Sequence, residues 1–254
     1  MSDEELLLKK RFLELARKSD GGGYFTFTDF LGLAEQSVFE SLRRELFGIS
    51  YTGFGGTDGT ERVMIRFGNA DALGYEEPFP IAALYITPRA PKFAEKLTHR
   101  DFLGALMNLG IERHIIGDIA VLDHGAYVFV KEDIADYLIS SLTRVRRTDV
   151  NVCRIAPEKI DGAELYRTER VNIQLSGERL DAAVAKVFSL SRDDAQALFR
   201  KRLVFASGKE IESVSYVPKP DEVISVRGFG RFIYRGPFGT SKKGKLNVAV
   251  DKYV

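Results

Sequence analysis

The chain has 254 residues, 44% of them hydrophobic and 29% charged, enough to bury substantial cores in roughly two domains. Its single cysteine, Cys153, excludes an intrachain disulfide framework and thiolate zinc clusters and fits a reducing interior. The net charge of +1 hides an asymmetry: residues 170–254 carry 16 Lys and Arg against nine Asp and Glu, or +7, and the remainder carries −6, so the carboxy-terminal third is the part suited to a polyanion.

The amino-terminal MSDEELLLKKRF is acidic and then amphipathic, without the basic start and apolar core of a signal peptide. No uncharged apolar run approaches the length of a membrane span, and a cytoplasmic protein is expected. Ser2 with Glu5 forms a capping-box pattern, and Leu6, Leu7, Phe12, Leu13 and Leu15 recur at helical spacing up to Lys18, before the glycines at 21–23. A second helical pattern covers Thr28 to Arg44. Strands are expected at Phe47–Tyr51 and Arg62–Phe67, flanking GFGGTDGT. That loop lacks the Gly-Lys-Ser/Thr ending of a P-loop and opens no helix, so it reads as a mobile hairpin tip, with phosphate contact as the alternative.

From Ile81 the order is strand (81–87), helix (98–109), strands (118–122 and 126–130), helix (134–142) and strand (150–155). This β-α-β-β-α-β order predicts a ferredoxin-like middle domain, with Thr98 and Asp101 capping its first helix. RNA-recognition motifs use this fold and stack bases on the two central strands. Tyr85 and Tyr127 occupy candidate stacking positions there, while Phe129 reads as core. Residues 151–171 read as a connection to the next domain, with the boundary near Glu169.

The region 179–230 offers two short helices and a hairpin. Leu180, Ala183, Val184 and Val187 on the first helix, and Ala195, Leu198 and Phe199 on the second, can share a core, leaving Arg192, Gln196, Arg200 and Lys201 outward. Ser191 and Asp194 cap the second helix. Arg179, Arg192, Arg200, Lys201, Arg202 and Lys209 are candidate contacts to the phosphates of a folded RNA. Arg231, Arg235, Lys242, Lys243 and Lys245 extend the track, the lysines as flexible point charges.

Arg179-Leu180-Asp181, Ser191-Arg192, Val204, Gly208, Asp221 and the Ile224–Gly230 ending resemble the αL-type RNA-binding domain named after ribosomal small-subunit protein four. Arg202 stands where that pattern has glycine and Ser207 where it has asparagine, which puts the helix exit in question. Together with GGTDGTERVMI, THRDFLGALMNLGIERHIIGDIAV and GRFIYRGPFGTSKKGKLNVAV, the module is similar in content and order to the YlmH family of bacterial RNA-binding proteins. The resemblance implies a cytoplasmic, ribosome-associated binder of rRNA or tRNA, linked to large subunits carrying stalled peptidyl-tRNA and to ribosome rescue. His99, Arg100 and Arg113, in the most family-like block, become further candidate RNA contacts.

The expected organisation is α+β: a helical and hairpin region over 1–75, an RNA-recognition-like domain over 76–168, and an αL-type domain with a basic hairpin over 169–254. A pseudouridine synthase or methyltransferase domain after the module would need more than the two dozen residues that follow Gly230. His99, His114 and His124 make no i, i+4 metal pair. The expectation is therefore a non-enzymatic RNA binder without metal or cofactor, with neither membrane nor DNA as partner. The alternatives are an RNA-modifying site in the amino-terminal half, or a protein adaptor on the ribosome.

Overall fold

The computed structural model describes residues 3–253, apart from the side chains at 158, 163 and 164. The chain divides into two compact units, Met1–Leu165 and Tyr166–Val254. Both mix helices with antiparallel sheet, an α+β architecture.

In the first unit, helix α1 (Asp3–Gly22) buries Phe12, Leu15 and Ala16. Ser2 of the expected capping box lies outside the described residues. The helix runs through two of the three glycines and stops at Gly23, whose φ of 67° is left-handed and whose N–H reaches the Ser19 carbonyl at 3.1 Å. The chain then departs from the expected helix. Strand β1 (Thr26–Phe27) pairs with a later strand, the Thr28 N–H donates to Ile65 O at 2.9 Å, and the Leu31 N–H donates to Val63 O at 2.7 Å. Phe30 and Leu31 are buried as extended chain, and α2 is only Leu33–Glu40, with Glu35 accepting the Gly32 N–H at 2.6 Å.

Strands β2 (Tyr51–Phe54) and β3 (Met64–Phe67) complete a sheet of order β1-β3-β2. Residues 47–50, expected as strand, form turn and irregular chain, and Phe47 is 91% exposed. The glycine loop is packed rather than a mobile tip. A Cβ at Gly56, with φ 108°, would sit 2.3 Å from the Phe129 ring, and Thr57 is buried. Only glycine permits this approach and this backbone together. A short helix, α3 (Ala70–Leu73), leads onward.

The β-α-β-β-α-β order holds: β4 (Ile81–Pro88), α4 (His99–Asn108), β5 (Ile116–Leu122), β6 (Gly125–Lys131), α5 (Ala135–Ser141), a two-residue strand β7 (Arg144–Val145), and β8 (Thr148–Ile155). The sheet order is β5-β6-β4-β8-β7, so β4 and β6 are central. Thr98 and Asp101 form the expected capping box. Alternate residues face opposite ways along a strand. Ala82, Leu84, Ile86, Val128 and Val130 meet Phe102 and Leu106 of α4 and Leu138 of α5 in one core. Ala83 and Phe129, on the other face, lie under Phe30, Met64 and Ile160, so the amino-terminal region covers much of that face. The unit ends with α6 (Gly162–Leu165).

The second unit begins with β9 (Thr168–Leu175), whose first four residues, 168–171, were expected to belong to a connection. Helices α7 (Leu180–Val187) and α8 (Arg192–Arg200) follow, then β10 (Val204–Ala206), β11 (Lys209–Glu210), β12 (Glu222–Val226), β13 (Gly230–Thr240) and β14 (Leu246–Tyr253). The sheet order β11-β10-β12-β13-β14-β9 makes the first and last strands neighbours, from Leu246↔Leu175 to Tyr253↔Thr168. The final hairpin is thus the continuation of the module's own sheet. All seven residues expected in the core of the two helices are buried.

Arg202 adopts φ 56°, the backbone that favours glycine. Its N–H bonds Phe199 O at 2.9 Å and the Leu203 N–H bonds Leu198 O at 3.0 Å, the paired closure of a left-handed helix end. The helix exit is therefore intact with arginine in place, at a cost of roughly 1–2 kcal/mol. Ser207 (φ 46°) and Gly208 (φ 75°) form a two-residue turn of doubly left-handed type, which explains why asparagine suits the first position.

Candidate nucleic-acid interface

The arginine face of the second unit is built on a buried carboxylate. Asp181, in the first turn of α7, is fully buried. Its oxygens accept Arg179 Nε at 3.0 Å, Arg179 Nη2 at 2.9 Å and Gln196 Nε2 at 2.9 Å, while Arg192 Nε stands 3.7 Å away. Burial pushes the Asp181 carboxyl up, but the hydrogen bonds from Arg179 and Gln196 outweigh it and hold the group below its ordinary value. The negative charge therefore persists, holding the Arg179 guanidinium by two hydrogen bonds with Arg192 as a looser ion-pair neighbour on α8. Arg192, Gln196 and Arg200 follow at i, i+4 and i+8, a stripe about 12 Å long on one face.

Ser191 caps α8 as expected, accepting the Asp194 N–H at 3.1 Å. Arg200 and Lys201 are exposed at its far end and make no ion pair among the described residues. Arg202 lies 3.4 Å from Glu210 and 3.3 Å from Glu212. Arg227, which sequence reasoning passed over, belongs to this end: its N–H bonds Leu203 O at 2.9 Å and its guanidinium covers the Phe205 ring at 4.4 Å. Its signal was its place directly after a strand that pairs with the helix exit.

The rest of the expected track separates. Arg235 donates to Asp221 and Asp251, both at 2.6 Å, and Arg170 also bonds Asp251, so Arg235 braces the sheet. Arg231 lies over the Tyr253 ring at 4.1 Å. Lys209 is exposed beside the Ser207-Gly208 turn. Lys242, Lys243 and Lys245 sit on the β13–β14 turn, closed by Ser241 N–H to Lys245 O at 2.7 Å. Nine residues of strand separate Arg231 from that turn, about 30 Å at strand rise. The lysines are thus a second basic point, with exposed Phe238 nearby in sequence.

In the first unit, Tyr85 and Tyr127 are direct cross-strand partners, their rings stacked 4.8 Å apart at 30°. One face of each ring is therefore occupied by the other. Phe129 is fully buried, as expected. His99 and Arg100 open α4 and are exposed. Arg113 is partly buried, donating to Ile116 O at 2.6 Å and Gly117 O at 3.1 Å. Burial first, and then its neighbour Arg62, push its pKa down to about 10.

Arg62, missed in the sequence, donates to Ile116 O at 3.0 Å and Phe30 O at 2.8 Å. An extra residue between Ile116 and Ile119 breaks the β5–β6 register and turns Asp118 toward the glycine loop, where it accepts the Glu61 N–H at 2.7 Å and the Arg62 N–H at 3.0 Å. Arg62 thus fastens the amino-terminal region to the start of β5, while Arg113 closes the local turn that leads into that strand. His114 lies 3.3 Å from Glu112. Among the described residues, no group of His, Cys, Asp or Glu converges as metal ligands would, and no helix is long and apolar enough to cross a membrane.

A family model described as "Putative RNA-binding domain in YlmH" matches residues 75–159, the stretch that holds the β5-β6-β4-β8-β7 sheet and its two helices. Fold and match together define the class: an α+β protein built around a YlmH-type RNA-binding domain. The chain is 30% identical over 231 residues to "Ribosome-associated protein quality control protein P2" of Bacillus subtilis (strain 168), covering 89% of this chain and 86% of that one. The chain belongs to the YlmH family. It is also similar to a solved structure, "Cell division protein ylmH from Streptococcus pneumoniae", at 25% identity and a TM-score of 0.49, covering 63% of this chain and 97% of that one.

Proposed function

We propose that the protein binds structured RNA, rRNA or tRNA, on the large ribosomal subunit, without catalysis or cofactor. The second unit acts as an αL-type RNA-binding domain and the middle of the first as an RNA-recognition-like domain. The observation that carries this reading is the buried Asp181, which holds Arg179 and Gln196 and has Arg192 alongside, with the exposed Arg200 further along the same helix face. Pre-oriented forks suit bidentate phosphate contact. The family match and the quality-control name of the Bacillus relative support RNA binding at the ribosome; a cytoplasmic role on subunits carrying stalled peptidyl-tRNA is the further part of this proposal.

The test is Arg192→Glu combined with Lys201→Glu, binding purified large-subunit rRNA over a salt series. Affinity should fall across RNA sequences, and each lost contact should reduce the logarithmic salt slope by about 0.7 to 0.9. Unchanged affinity and slope in the folded variant would refute this face.

A further inference from the structure

The sheet face on which an RNA-recognition domain would stack bases is largely closed here. Ala83 and Phe129 lie beneath the amino-terminal region, and Tyr85 and Tyr127 stack on each other. The helical side is different. A groove of about 450 Å³ runs between α4 and the segment from the end of α5 into the β7–β8 hairpin, lined among others by Arg100, Gly104, Ser141, Thr143, Arg144 and Arg146. Three arginines line it against one carboxylate, Asp101. That carboxylate is engaged by Thr98 at 2.8 and 2.7 Å and by Arg146 at 3.3 Å. Arg144 pairs outside the lining with Asp149 at 2.8 Å, and Arg100 makes no ion pair among the described residues.

Two features of this groove weaken the fold. Gly104 sits inside α4, where glycine is a poor helix former, and nothing lies within 4 Å of where its Cβ would be. No neighbouring side chain among the described residues accounts for that choice. Arg146 adopts φ 52° in a tight two-residue turn, a backbone suited to glycine or asparagine. Gly104 leaves an approachable stretch of helix backbone, and the turn sets Arg146 at the rim of the groove. Arg100, Gly104 and Asn108, at i, i+4 and i+8, extend the bare strip over about 12 Å.

We propose that this groove holds the sugar-phosphate backbone of structured RNA, making the helical side of the middle domain a second RNA contact. The proposal rests on the RNA-binding reading above. Arginine forks take the phosphate oxygens, the Ser141 and Thr143 hydroxyls offer further donors, and Gly104 lets the backbone come close. An A-form helix, recognised by shape and backbone, suits such a surface.

The experiment measures the full chain binding two probes, protein-free large-subunit rRNA and intact large subunits, over a KCl series. The variants are Arg100→Ala with Arg144→Ala, and separately Gly104→Leu; Arg192→Glu with Lys201→Glu tests the other unit. The double alanine variant should bind both probes more weakly, with a salt slope lower by about 1.4 to 1.8 for two lost contacts. Gly104→Leu should raise the melting temperature, because it improves helix propensity in open space, and yet weaken binding to both probes. That opposition separates a blocked groove from a damaged fold. Unchanged binding of protein-free rRNA by both groove variants would overturn the proposal, and a loss confined to intact subunits would assign the groove to an acidic protein instead. If the Arg192 and Lys201 variant alone loses affinity, the RNA reading stands and the groove does not. If the unaltered chain does not bind rRNA, both fall.

Discussion

Arginine does opposite work in the two units. Arg62 and Arg113 in the first unit turn inward and donate to the carbonyls of Phe30, Ile116 and Gly117. Arg179 and Arg192 in the second lean on the buried Asp181 while keeping their side chains 38% and 63% exposed. In the first arrangement the charge satisfies backbone acceptors, and Arg62 joins two segments of chain. In the second, the carboxylate is the buried partner and the cations remain available to a ligand. The deciding feature is which member of the network is sealed from water.

The contrast can be broken most strongly at Arg62. Arg62→Ala should destabilise the first unit by about 3 kcal/mol, since charge-assisted bonds to the Phe30 carbonyl and to the Ile116 carbonyl that it shares with Arg113 are lost. Denaturant melts would show this, with RNA affinity retained wherever the protein stays folded. Arg179→Ala should cost the second unit about 2 kcal/mol by leaving the buried Asp181 with fewer donors, and should weaken RNA binding as well. Asp181 also gives this network a pH signature. Because its folded pKa lies below the ordinary carboxylate value, its contribution is fully present above about pH 4 and disappears as pH falls through the folded value. Melts of Asp181→Asn should lack that acid-dependent component.

Arg202→Gly sharpens the comparison from another side. Relief of the left-handed backbone should raise stability by about 1 kcal/mol, partly offset by the exposed pairs with Glu210 and Glu212. Arg192→Glu with Lys201→Glu should cost about 1 kcal/mol, because it sets a carboxylate near Asp181 and removes a cation from the end of α8, so that its main effect falls on RNA affinity.

Local chemistry made much of the second unit legible. Apolar spacing placed Leu180, Ala183, Val184 and Val187 in the core, and Ser191 with Asp194 marked the start of α8. The same rules found the Thr98 box and the strand and helix order from Ile81 onward. They failed where a distant partner decides. Phe30 and Leu31 have helical spacing with their neighbours, but β3 draws Thr28 and Leu31 into strand-like bonds. The segment Thr168–Leu175 carries polar residues typical of a connection and becomes a strand only because the end of the chain pairs with it. The glycine loop read as a tip because Phe129, which it covers, lies far along the sequence. Arg62 was illegible for the same reason: its acceptors, the Phe30 and Ile116 carbonyls, lie far away in sequence.

The central claim is that RNA meets the face organised by Asp181. Ultraviolet crosslinking of the protein to RNA in cells, with the modified peptides located by mass spectrometry, tests it most directly. The account predicts adducts in the peptides spanning Arg179 to Arg202. Adducts confined to other parts of the chain, with that stretch unmodified in the bound protein, would contradict it.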